Sequence, residues 1–206
     1  MRKNANDGAG GRWPLAGRRA ARGLLLVVLL LVVGCASVDP VVKIGLVGPF
    51  EGQNRAIGYD VIYSARLAVR EINAAGGIGG SRVALVALDD SGDPDLAAQV
   101  AESLVLDPQV LAVIGHWDEA TTAAAAPIYA AAGLPFLPGG AATDPALLSA
   151  DFRAAYEAVT PFDETPGPYA GPAYAAFQRL WRALADSKER RGILDRTAVS
   201  EALSTP

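Results

Sequence analysis

Apolar residues follow two alternating rhythms along this chain: short unbroken runs, and stripes recurring every third or fourth position. The run Val41-Val42-Lys43-Ile44-Gly45-Leu46-Val47 is β-branched and apolar, bounded by Pro40 and Gly48-Pro49. It predicts a strand buried on both faces, and hence a parallel sheet. Val61, Ala65, Ala68 and Ile72 then recur at helical spacing and make one stripe of a helix that stops at Ala74-Ala75-Gly76-Gly77. Val83 to Leu88 is a second strand. Asp93-Pro94 opens a second helix as cap and first-turn proline, with Leu96, Ala97, Val100 and Leu104 as its stripe. Val110 to Ile114 is a third strand, Ala120 to Ala132 a third helix and Leu134 to Leu137 a short fourth strand. This alternation predicts an α/β fold, a right-handed doubly wound parallel sheet.

The rhythm changes after Leu137. Phe152 to Val159 reads as a helix, and Thr160 to Pro172 is a passage with four prolines. Tyr174, Phe177, Trp181 and Leu184 mark a further helix, and Thr197 to Leu203 a last short one. No clear strand follows Leu137. Gly76 to Gly80 is glycine-rich but lies between a helix and a strand, the reverse of a dinucleotide fingerprint, and so reads as a turn.

The amino-terminal end departs from this pattern. Arg2, Lys3, Arg12, Arg18, Arg19 and Arg22 face only Asp7, and the apolar run Leu24 to Val33 follows. Ten apolar residues are too few to span a bilayer, which takes roughly 20. A basic stretch, a short apolar run and a small residue predict a secretory signal over 1–34. Gly34 precedes Cys35, the single cysteine of the chain. That setting resembles a bacterial lipobox, in which Cys35 is lipidated and the protein is held at the extracytoplasmic face of the cell membrane. Beyond residue 34 the chain has twelve cations against twenty-one anions. This balance argues against nucleic acid, which demands clustered Lys and Arg.

Ligands of open parallel sheets bind beyond the carboxyl ends of the strands, where the winding reverses. Three loops are expected there: Gly48 to Gly58, Gly115 to Thr121 with His116 and Trp117, and Gly139 to Thr143 with Ala142. The last two run toward helix or turn starts whose N–H groups favour an anion, so a small polar ligand is the expected guest. Catalysis has little support. His116 is the only histidine, no G-x-S-x-G elbow occurs, and His116 reads more simply as a residue closing a strand and bonding local backbone. Asp89, Asp90, Asp93 and Asp95 lack the spacing of a calcium loop. No metal and no cofactor is expected.

The loop sequences carry a resemblance. "VKIGLVGPFEGQNRAIGYDVIYSARLAVREINAAGGIGG", "LDDSGDPDLAAQVAESLV", "VIGHWDEATTAAAAPIY" and "PGGAATDP" resemble the first lobe of type I periplasmic binding proteins. The nearest branch is the branched-chain amino-acid (leucine/isoleucine/valine) substrate-binding proteins of ABC importers. The resemblance implies two α/β lobes with the ligand held between them. Here the chain leaves the ligand turn at Asp144-Pro145 and resumes at Phe152 as though most of the second lobe were excised. The expected organisation is a signal over 1–34, a first ligand-binding lobe over 35–150, and a helical segment over 151–206 that packs on the same lobe.

The resemblance also implies site residues. Ala141 and Thr143 match the turn that holds an amino acid's α-amino and carboxylate groups. Glu119 stands where amino-acid binders place a serine for the ligand carboxylate, and Ile57 where an aromatic often covers the side chain. Glu119 reads equally as a helix cap pointing to solvent. The implied function is a lipid-anchored solute-binding protein with an ABC permease as partner and an amino acid or related solute as ligand. It is not an enzyme on this reading. Loss of the second lobe would weaken binding and, near Leu147 and Leu148, expose apolar surface that favours self-association. A sensory or structural surface lipoprotein and a nonfunctional deletion product are the alternatives.

Overall fold

The computed structural model describes residues 40–204; the predicted leader and Cys35 lie outside the described residues. Four strands, β1 (Val41–Gly48), β2 (Arg82–Asp89), β3 (Val110–Gly115) and β4 (Phe136–Pro138), form one all-parallel sheet in the order β2-β1-β3-β4. Helices α1 (Arg55–Ala74), α2 (Pro94–Leu106) and α3 (Glu119–Ala131) connect them. The doubly wound sheet expected from the apolar runs is present. Every residue of β3 is buried, because a central strand is covered on both faces. The fourth strand is shorter than the run Leu134 to Leu137. Leu134 is buried at 3% exposure, but parallel pairing begins only at Phe136 opposite Val113.

Beyond β4 come a 3-10 turn at Pro145–Leu147, then α4 (Ala150–Glu157), α5 (Ala170–Arg191) and α6 (Arg196–Ser204). One face of the sheet buries Ile44, Leu46 and Ile114 against Val61, Ala65 and Ala68 of α1 and Phe177, Leu180 and Trp181 of α5. The other face packs Val47, Val110 and Val113 against Val100 and Leu104 of α2 and Ala125 and Tyr129 of α3. The result is a three-layer α/β sandwich in which α5 and α6 share the core of the sheet. Arg196, at the start of α6, donates to the carbonyls of Val105, Asp107 and Val110, placing a cation at the carboxyl end of α2.

Local chemistry sets the helix ends. Asp93 caps α2 by accepting from Asp95 N and Leu96 N, with Pro94 behind it. Ser149 caps α4 by accepting from Phe152 N. Near the end of α1 the Asn73 amide makes two hydrogen bonds with Val83 of β2, donating to its carbonyl at 2.9 Å and accepting its N–H at 2.8 Å. No described helix is long and apolar enough to cross a membrane.

Candidate ligand site

From β1 the sheet extends through β2 on one side and through β3 and β4 on the other, so the winding reverses between β1 and β3. The crevice expected of such a sheet lies at the carboxyl ends of those two strands. Gly115 closes β3 with φ 141°, and a Cβ there would come within 2.1 Å of the Val47 carbonyl. Only glycine fits that approach.

The next two side chains part to opposite faces of the sheet. His116 goes to the α3 face, where its Nδ1 lies 2.9 Å from Asp90 Oδ2 and its Nε2 3.1 Å from the Tyr129 hydroxyl. The imidazole is wholly buried, so His116 offers the crevice its main chain and not its ring. Its partners are side chains from the end of β2 and from α3, not the local backbone expected from the sequence. Burial pushes the Tyr129 hydroxyl pKa well up, and the Asp90 charge adds to that shift. Trp117 goes to the other face. Its indole N–H donates to the Val47 carbonyl at 3.1 Å, and its ring lies so near Gly139 that a Cβ there would meet it at 2.5 Å.

Asp118, not Glu119, caps α3: its carboxylate accepts from Thr121 N at 3.0 Å and from the Thr121 hydroxyl. The cap reading of Glu119 is thereby corrected. Glu119 is the first residue of the helix, is exposed and faces a cavity. With Asp118 and Glu119 already at this helix start, its N–H dipole is complemented by carboxylates, which removes the anion preference expected of it.

That cavity is a solvent-open concavity of about 550 Å³, within the usual range for small-molecule sites. It is lined by residues of the start of α3, among them Trp117, Asp118, Glu119 and Thr122, by the turn Gly139 to Ala142, and by Tyr169. Of the residues expected from the sequence, His116, Trp117, Glu119, Ala141 and Ala142 meet here; Ile57 and Thr143 do not line it. Ile57 packs on the core from the first turn of α1. The loop that carries it is drawn toward β2 instead, because Asp89 accepts from Phe50 N at 2.6 Å and Glu51 N at 3.0 Å. Thr143 gives both its N–H (2.9 Å) and its hydroxyl (3.3 Å) to the Pro168 carbonyl.

Tyr169 was not legible in the sequence. It stands at the N-cap of α5 within the Pro/Gly passage and sits edge-on to Trp117, ring centroids 6.0 Å apart. Asp60 of α1 holds it there by accepting from Gly167 N and Tyr169 N, each at 3.0 Å. Burial raises the Asp60 pKa above its ordinary 3.8, against the opposing pull of the Tyr169 and Gly167 amides. Among the described residues no group of three or more His, Cys, Asp or Glu is placed to hold a metal. The cavity lining contains no serine or cysteine. The lining offers shape, two exposed carboxylates and aromatic surface as contacts.

Comparison with known proteins places this chain in a family. Residues 41–148 match the family model described as "Periplasmic binding protein", about half of the chain, and the chain belongs to that family. An amino acid binding protein of Pseudomonas aeruginosa is 36% identical over 116 residues, which cover 55% of this chain and 30% of the relative. The leucine-specific-binding protein of Salmonella typhimurium is 32% identical over 136 residues, covering 66% of this chain and 36% of its own length. Among solved structures, the branched-chain amino acid transporter substrate binding protein of Streptococcus pneumoniae in complex with isoleucine is similar at 38% identity. Its TM-score is 0.47, with 50% of this chain and 30% of that chain covered. The chain thus spans about a third of the length of these relatives. The family read from the loop sequences is the family matched.

Proposed function

We propose that this chain is an extracytoplasmic solute-binding protein of an ABC importer, anchored through a lipid on Cys35, and that it holds a small polar solute at the carboxyl edge of its sheet. One observation carries the reading: the 550 Å³ concavity lies beside the reversal of the sheet, built from the first turn of α3 and the Gly139 to Ala142 turn. Relatives named for amino acid and leucine binding support the ligand class. We read the short link from Thr143 through Pro145–Leu147 to α4 as the point where a second lobe is absent, so the cavity has one lobe's contacts. If half of an interaction of roughly −8 kcal/mol is lost, a micromolar dissociation constant moves toward the millimolar range.

Solute-induced NMR shift changes should cluster in residues 115–122 and 139–143. Changes confined to the Gly76 to Gly80 turn, at the amino edge of the sheet, would contradict the placement. For the anchor, Cys35→Ala should stop incorporation of labelled palmitate and release the protein from membranes; unchanged membrane attachment would sink it. A second reading, a surface interaction module, draws on Leu147 and Phe162, each 82% exposed. Concentration-dependent sedimentation that disappears when both are changed to Ser would favour it.

A further inference from the structure

We propose that this cavity selects an organic cation, an alkylammonium or guanidinium solute, over zwitterions and anions of the same size. The inference rests on the solute-binding reading above and names the ligand class of that site. Its charged lining is of one sign: Asp118 and Glu119 are both exposed at its wall, and no Lys or Arg lines it. The one imidazole is turned to the other face of the sheet and held by Asp90 and Tyr129, so it supplies no cation.

The two carboxylates differ in their engagement. Asp118 is occupied as the cap of α3, whereas no donor reaches the Glu119 carboxylate among the described residues. A solute that covers Glu119 strips water from a charge, which is unfavourable unless the solute brings the opposite charge. An anion would meet repulsion and a helix start whose dipole is already complemented.

Aromatic geometry points the same way. Trp117 and Tyr169 both line the cavity, with ring centroids 6.0 Å apart and planes at 89°. The indole N–H is spent on the Val47 carbonyl and the Trp117 ring is only 7% exposed, so the aromatic surface open to a cation is chiefly that of the half-buried Tyr169. Around the same sheet edge Glu51, Asp93 and Asp144 in the loops and Asp89 at the end of β2 outnumber Arg55 at the start of α1, a net negative field that draws cations toward the cavity.

The test uses three probes sharing one alkyl chain: 3-methylbutylamine, leucine and 4-methylpentanoate, a cation, a zwitterion and an anion. Each is titrated into the full chain and followed by amide and indole NMR shifts. The amine is expected to bind about tenfold tighter than the carboxylate, with leucine between, and the margin should shrink as salt is added. Glu119→Gln, at an exposed position, should weaken the amine by roughly three- to fivefold and leave leucine nearly unchanged. Tighter binding of leucine or 4-methylpentanoate than of the amine at this edge would overturn the charge preference and leave the solute site standing. An amine affinity unmoved by Glu119→Gln would also overturn it. If none of the three shifts residues 115–122 or 139–143, the solute site itself falls and the inference with it.

Discussion

The Asp90 carboxylate and the His116 imidazole meet at 2.9 Å in the interior, with neither side chain exposed. The contact joins the end of β2 to the turn leaving β3, and Asp90 also accepts from Gly92 N at 3.0 Å. The ring is held at both nitrogens, Nδ1 by Asp90 and Nε2 by the Tyr129 hydroxyl. His116 holds a positive φ of 38° there, a conformation that the pair keeps in place. That turn in turn sends Trp117 to the cavity at the carboxyl edge of the sheet.

Asp90→Ala should therefore destabilise the protein by about 3–5 kcal/mol, since it strands a buried imidazole and an amide. Tyr129→Phe, which removes one hydroxyl contact, should cost about 1 kcal/mol. Urea unfolding measures both. An Asp90→Ala loss no larger than that of Tyr129→Phe would show that the pair carries little of the fold.

Asp60 and Asp89 should shape the acid side of the stability profile with opposite signs. Burial sets the Asp60 pKa above 3.8, so its share of stability is complete below that value and declines as pH rises through the folded pKa. For Asp89, burial pushes up, but the Ser91 hydroxyl and the amides of Glu51, Ser91 and Phe50 together hold the carboxyl below 3.8. Its share is present above 3.8 and is lost as pH falls through the lowered folded value. Urea midpoints across acid pH should show the decline flattened in Asp60→Asn and the gain flattened in Asp89→Asn. The reverse assignment would mean that these environments are misjudged.

Gly139→Ala tests the approach of Trp117 to the turn after β4. The added methyl would meet the indole at 2.5 Å and the His116 carbonyl at 2.8 Å, so the turn or the ring must move. A loss of about 1–3 kcal/mol is expected, with a shift in tryptophan emission. Thr143→Val is the contrast. It keeps the N–H bond to Pro168 and loses only a 3.3 Å hydroxyl contact, so about 1 kcal/mol or less is expected.

The carboxyl-terminal helices are predicted to be part of the folding unit. Phe177 of α5 is fully buried among residues of β1, β3 and α1, and Phe177→Ala should cost about 3–5 kcal/mol in chemical denaturation. A negligible change would mean that α5 is dispensable to the sheet.

The sheet was legible because a strand covered on both faces leaves an unbroken apolar run, as Val41 to Val47 and Val110 to Ile114 do. The start of α2 was legible because Asp93-Pro94 carries its capping chemistry within two residues. Other features depend on contacts that no local pattern encodes. His116 finds Asp90 across 26 residues, and Tyr169 finds Asp60 across 109. Neither spacing follows a helical or strand period. At the start of α3 two adjacent carboxylates compete for one cap, and only geometry separates Asp118 from Glu119. The three loops lie at the carboxyl edge of the sheet, as their order after the strands implies, yet Asp89's hold on Phe50 and Glu51 and Pro168's hold on Thr143 decide which of them face the cavity.

The Asn73 amide has a consequence for the protein's life among its own copies. β2 is an outer strand, and Val83 turns its N–H and carbonyl away from β1, a socket into which another chain's strand could plug. Asn73 fills that socket with a side chain that mimics the missing neighbour. At the opposite margin, Pro135 and Pro138 flank Phe136 and Leu137, and neither proline has an N–H to donate. Both margins are thus guarded against strand-by-strand aggregation, one by mimicry and the other by removing donors.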